Sequence, residues 1–234
     1  MGLTRPPRQR RSQETLDRFL LAAQNLLEEK TFNEVSVNEI VERAGSSVGA
    51  FYVRFADKQA LLDCLRDAFT REMEEEARRL ALTRDWASTP LETAVAEFIR
   101  VLVQQHRKHR GTLRALVGLS MTGSRSAAGH GDATGFLAGG RTGAAAGATS
   151  EVVSPFPLID LIVKRRSEID HPDPDVAAHL GFGIIMSAIR ERVLFPELSM
   201  SSRPMAHVTD AVFAEELARV FLGFLGVNRP NRKG

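Results

Sequence analysis

The chain has one cysteine, one tryptophan and one tyrosine among 234 residues, and only 6% of it is aromatic. A lone Cys64 excludes an intrachain disulfide framework and any metal site built from several thiolates. Flanked by Leu61, Leu62 and Leu65, it reads as a small, partly buried hydrophobe and not as a redox sensor. No run of 18 apolar residues could span a bilayer and no short apolar signal region stands near the start, so no membrane partner and a cytoplasmic address are expected. Strand alternation competes nowhere with the helical period, so the expected fold is all-α. Catalytic patterns are missing too: no nucleophile beside a base and a third group, no HExxH, no Rossmann fingerprint and no GxxxxGK[ST] loop. No enzyme, no cofactor and no metal are expected. A net charge of +2 is too small to announce a nucleic-acid partner by itself.

What is present is apolar periodicity, in a chain whose 43% apolar content suffices for a core. The informative stretch is Ser36 to Lys58, SVNEIVERAGSSVGAFYVRFADK. Ser36 and Glu39 have capping-box spacing, so a helix begins at Val37. Val37, Ile40, Val41 and Ala44 form its apolar face, and Gly45 stands where a left-handed residue ends it. Ser46 or Ser47 caps a second helix of about two turns, with Val48, Phe51, Tyr52 and Phe55 as its inward stripe and Asp57 as the next cap. The opposite face would carry Ser46, Ala50 and Val53, with Gly49 and Arg54 on its shoulders. Two helices around a tight turn make a helix-turn-helix, whose second helix fits a DNA major groove. An ordinary packed helical hairpin has the same pattern, and the spacing alone does not choose between them.

From about Ser12 to Arg66 the chain resembles the N-terminal domain of the TetR/AcrR family of transcriptional regulators. The resemblance is carried by LLEEKTFNEVSV, RAGSSVGAFYVRF and ADKQALLDCL. It implies that Ser36, Tyr52 and Lys58 hold DNA phosphates while Val48, Gly49, Ala50 and Val53 face bases. Periodicity turns Val48 inward and ranks it below Ala50 and Val53. Arg54 is the nearby side chain able to bond guanine bidentately, or else a phosphate.

Four regions follow. Residues 1–11 form an arm with Arg5, Arg8, Arg10 and Arg11 and no acid; interrupted by Pro6 and Pro7, it is expected to be non-helical when free and to contact the minor groove or phosphates. Residues 12–58 form the DNA-binding domain, closed by a leading helix with Leu16, Phe19, Leu20, Ala23, Leu26 and Leu27. From Ser12 to Lys58 five bases meet eight acids, so any DNA surface is patterned and not globally cationic. Residues 59–226 form a helical ligand-binding and dimerisation domain, entered by one long helix through Leu80, roughly 35 Å in length. Residues 227–234 are a basic tail.

Within the third region, Thr89-Pro90-Leu91-Glu92 has capping-box spacing. His106 and His109 at i, i+3 read as part of a solvated basic helix end and not a metal site. Residues 123–150 hold eight of the eighteen glycines and are expected to form a mobile loop or poor helices. By resemblance the last two long helices pair with a second copy through Leu180, Ile184, Val220 and Phe224. Phe98, Leu102, His106, Met121 and Leu158 would line the pocket of an unknown small-molecule effector. The function implied is a sequence-specific repressor that binds palindromic double-stranded DNA as a homodimer and is released by that effector. The alternative is a helical small-molecule-binding protein or enzyme in which the helix-turn-helix is only a packing unit.

Overall fold

The computed structural model describes residues 7–83, 85–86, 88–121, 157–196 and 207–227. The described residues form nine α-helices and one short 3-10 turn, with no strand among them. The helices are α1 (Pro7–Glu29), α2 (Val37–Arg43), α3 (Val48–Tyr52), α4 (Lys58–Thr83), α5 (Leu91–Lys108), α6 (Arg110–Met121), α7 (Pro157–Lys164), α8 (Pro174–Leu194) and α9 (Asp210–Leu225). The glycine-rich stretch 123–150 and the tail beyond Val227 lie outside the described residues. The chain divides into two compact units, Met1–Thr70 with His109–Arg125, and Arg71–Lys108 with Ser126–Gly234.

The first unit is built on α1. Its buried face, Phe19, Ala22, Ala23, Leu26 and Leu27, meets Ile40 and Val41 of α2, Phe51 and Phe55, and Leu61, Leu62 and Leu65 of α4. Phe19 stands edge-on to Phe51 and Phe55 with ring centroids 5.7 and 5.9 Å away. A buried phenylalanine contributes about 1.5–3 kcal/mol, so this triad is the largest local fixture of the helix-turn-helix. Cys64 is half-buried against the same cluster. α6 lies along α1, where Gly111 leaves no room for a side chain: a Cβ there would stand 2.5 Å from the carbonyl carbon and oxygen of Leu27.

One expectation is corrected at the start of α1. The helix begins at Pro7, so Arg8, Arg10 and Arg11 are helical and not part of an irregular arm. Proline at the first helical position gives up only an N–H that has no partner there, and its fixed φ suits the helix. Residues 1–6 lie outside the described residues.

In the second unit α5 packs against α8 and α9, and α7 packs against α8. Asp173 caps α8, accepting from the Val176 N–H at 3.0 Å, with Pro174 as the first helical residue. Gly181 lets α8 approach α9, since a Cβ there would lie 2.2 Å from the Phe221 ring. This close approach is therefore made within the chain, while Gly183 is exposed over open space. Gly226 ends α9 in the left-handed region at φ 78°. Thr89 does not close a capping box: its hydroxyl donates to the Asp85 carbonyl at 2.9 Å, and α5 begins at Leu91. Arg107 pairs with Asp210 through two hydrogen bonds of 2.9 and 2.7 Å, tying α5 to the start of α9.

Candidate nucleic-acid interface

The turn between α2 and α3 follows from its residues. Ser36 and Glu39 cap α2 reciprocally: the Glu39 N–H donates to Ser36 Oγ at 3.2 Å and the Ser36 N–H to Glu39 Oε2 at 2.9 Å. After Ala44, Gly45 takes φ 56°. The Gly45 N–H reaches the Glu42 carbonyl and the Ser46 N–H reaches that of Val41, which completes a Schellman end. Ser47, and not Ser46, caps α3 by accepting from the Ala50 N–H. Asp57 caps α4 by accepting from the Ala60 N–H at 2.8 Å.

α3 is rotated from the orientation its periodicity predicts by roughly one residue, about 100°. Phe51 and Phe55 are buried as expected, but Val48 is 41% exposed and Tyr52 55%, with Val53 at 82% and Gly49 also exposed. Ala50, expected at the centre of the outward face, is half-buried against the core. The cause is the aromatic triad, which draws Phe51 and Phe55 beneath Phe19 and leaves no inward room for Val48 or Tyr52. Arg54 also turns inward: its guanidinium Nη1 donates to the Ala50 carbonyl at 3.1 Å.

All five cations between Ser12 and Lys58 have partners within the chain. Arg18 donates to the Gly45 carbonyl, Lys30 to Glu39 and Arg43 to Glu29. Arg54 reaches Ala50, and the Lys58 ammonium donates to the carbonyls of Phe32 and Val35 at 2.6 and 2.7 Å while lying 4.4 Å from the Phe32 ring centre. Burial pushes the Lys58 pKa down, with Glu39 opposing. Ser36 is exposed, but its hydroxyl proton is directed to Glu39 Oε2 at 2.8 Å. The expected phosphate holders Ser36 and Lys58 are thus committed inside the unit in the absence of DNA, while the Tyr52 ring extends outward.

Glu39 is the electrostatic hub of this cap. Lys30, then the Ser36 N–H and hydroxyl, hold its carboxyl down at about 2. A depressed carboxyl pKa means that the cap's contribution is complete above the ordinary value near 4.5 and disappears as pH falls toward 2. Acid titration followed by the Ser36 and Glu39 amide resonances should show this low step, and Glu39→Gln should abolish it. A Glu39 midpoint near 4.5 would refute the assignment.

The other candidates fall in two places. Phe98, Leu102 and His106 lie at i, i+4 and i+8 on α5; Phe98 and His106 are buried and Leu102 is half-buried. His106 and His109 are both buried, so neither belongs to a solvated helix end. His106 Nδ1 carries its proton to the Leu102 carbonyl at 2.8 Å, whereas His109 meets Gln24 and the Phe69 ring in the first unit. Leu158 is buried on α7, and the side chain of Met121 lies outside the described residues. No cluster of three or more potential metal ligands occurs among the described residues. No described helix is long and apolar enough to cross a membrane.

A capped helix, a glycine turn and a short second helix with an outward face, closed over a third helix, define a helix-turn-helix protein. Residues 19–65 match the family model for bacterial regulatory proteins of the tetR family. A tetR-family transcriptional regulator from Streptomyces coelicolor is similar in structure at 14% identity and TM-score 0.59, over 97% of this chain and 83% of that one. The MbdR regulator from Azoarcus sp. CIB is similar at 15% identity and TM-score 0.58, over 90% and 98%. NalD of Pseudomonas aeruginosa, the secondary repressor of the MexAB-OprM multidrug efflux pump, is similar at 20% identity and TM-score 0.54, over 92% and 98%. No curated protein matches the sequence. Residues 19–65 are thus a DNA-binding domain of the tetR-family type, and the chain shares the fold of the regulators it resembles.

Proposed function

We propose that the chain represses transcription by binding a palindromic operator as a homodimer, and that a small molecule held in its second unit weakens that binding. The observation that carries the DNA contact is the outward face of α3, where Val48, Gly49, Tyr52 and Val53 are exposed. Repression is the direction in which NalD is described as acting. The dimer rests on Val176, Leu180 and Ile184 of α8 and Val220 of α9, all exposed in the isolated chain. Phe98, Leu102, His106 and Leu158 are the effector-facing candidates, with Trp86, whose ring lies 5.2 Å from that of Phe98, as a built-in reporter. An effector that quenches Trp86 and weakens operator binding tenfold must itself bind tenfold more weakly in the presence of operator.

Because the module's own cations are internally paired, the phosphate charge falls to Arg11 in α1. Arg11 is exposed in the first turns of that helix. A gel shift on DNA flanking the chain's own reading frame tests the reading, with random duplex as the control. Arg11→Ala should weaken specific and random DNA alike and lower the slope of log K against log salt by about one per half-site. Equal affinity for flanking and random duplex would overturn operator recognition, and an unchanged slope would remove Arg11 from the DNA surface.

A further inference from the structure

We propose that α3 reads its half-site through thymine methyl groups, with Val48 and Val53 as the reading side chains and Arg54 as a positioning residue that makes no base contact. The inference rests on the DNA-binding reading above and specifies the sequence class it selects. The exposed face of α3 carries two valines, a glycine and a tyrosine, and no amide, acid or base. In the major groove the thymine C5-methyl is the one apolar group that projects from the base edge; a G·C pair presents donors, acceptors and only the small C5–H of cytosine. A valine laid over a G·C edge strips water from polar atoms and returns no hydrogen bond, which is a cost, whereas over a thymine it buries a methyl against a methyl. Val48 and Val53 are separated by about 7.5 Å along the helix axis and about 140° around it, at the two edges of the exposed face, so they reach different base pairs of one half-site.

Two further features fit. A Cβ added at Gly49 would meet nothing within 4 Å, so the absent side chain serves no packing inside the protein and leaves the backbone clear for close approach to the bases. Arg54, the one residue of this stretch able to grip guanine bidentately, is withdrawn. Its Nη1 is spent on the Ala50 carbonyl, and its Nε is buried with no hydrogen-bond partner among the described residues. It therefore ends α3 by satisfying a carbonyl of its last turn.

The test uses the full-length protein and a site selected from a random duplex library. Replacing thymine by deoxyuridine at the α3-facing positions removes only the methyl group and keeps every base pair. One methyl is worth about fourfold in affinity, so one removed in each half-site should weaken binding about 15-fold. Substituting 5-methylcytosine for the cytosine of a C·G mutant at the same positions should recover part of the loss, and Val53→Ala should shrink the deoxyuridine effect. Arg54→Ala should lower affinity on all selected sequences equally. Unchanged affinity for the deoxyuridine duplex, with discrimination against random DNA intact, would overturn methyl reading and leave DNA binding standing. Loss of preference at a single guanine in Arg54→Ala would also overturn it. A selection that enriches no sequence would refute both readings.

Discussion

Gly111→Ala should lower the stability of the first unit by about 2–3 kcal/mol, the range of an overpacked contact that cannot relax. The added Cβ would stand 2.5 Å from the carbonyl carbon and oxygen of Leu27 and 2.8 Å from the Glu28 nitrogen. Those are backbone atoms in the last turns of α1, and no rotamer change can move them aside. α6 would have to withdraw, which opens the contacts of Ala115 in the core and lengthens the 2.6 Å hydrogen bond from the Gly111 N–H to Glu28 Oε1. Glu28 also accepts from Arg110 Nε at 3.1 Å, so one carboxylate holds the first two residues of α6. Urea unfolding followed by circular dichroism should show the loss, with Glu28→Gln, which keeps an acceptor, costing only about 1 kcal/mol. An alanine variant within 0.5 kcal/mol of the parent would mean that α6 does not approach α1 this closely.

This contact also marks the limit of what the sequence displays. Ends of elements are local chemistry, and those around the helix-turn-helix are legible: the Ser36–Glu39 box, the left-handed Gly45 and Asp57 each act on backbone groups within four residues. The role of Gly111 is not local, because the atoms that forbid its side chain are 83 and 84 positions away in the chain. The face expected of α3 differs from the observed one for a related reason. A five-residue helix offers too few apolar positions to define a face, and Val48, Phe51, Tyr52 and Phe55 fit one stripe in sequence, whereas Phe19 on another helix selects only the two phenylalanines. Charge behaves likewise. Arg54 and Lys58 read as free cations until the carbonyls of Ala50, Phe32 and Val35 are brought beside them. The outward Val48 and Tyr52 agree with the family resemblance, whereas periodicity turns both inward.

Ile184→Glu should separate the proposed dimer into folded monomers and weaken operator binding by about 10²-fold or more. Val176, Leu180 and Ile184 repeat every four residues along α8 and are 54%, 54% and 49% exposed, and Val220 on α9 is 64% exposed. Large apolar side chains aligned on one face, with exposed Gly183 and Gly223 beside them, form a surface that two copies can bury against each other around a two-fold axis. In such an arrangement each substitution is present twice, so the introduced carboxylates meet at or near the axis and repel in a dewatered setting. Because the position is open in the single chain, the charge does not enter the monomer's own core, and the helical content of the variant should be preserved. Phe224 is a poorer probe: it is half-buried, its ring lies 5.3 Å from that of His171, and its loss would disturb the fold as well as the interface. The DNA effect follows from linkage. Joining two half-site readers makes the second contact intramolecular, and separating them forfeits the 10²–10⁴-fold gain that such coupling gives. Sedimentation equilibrium and gel shift should therefore change together. An Ile184→Glu protein that remains dimeric would place the interface elsewhere, and a monomer that retained full operator affinity would show that one reading head suffices.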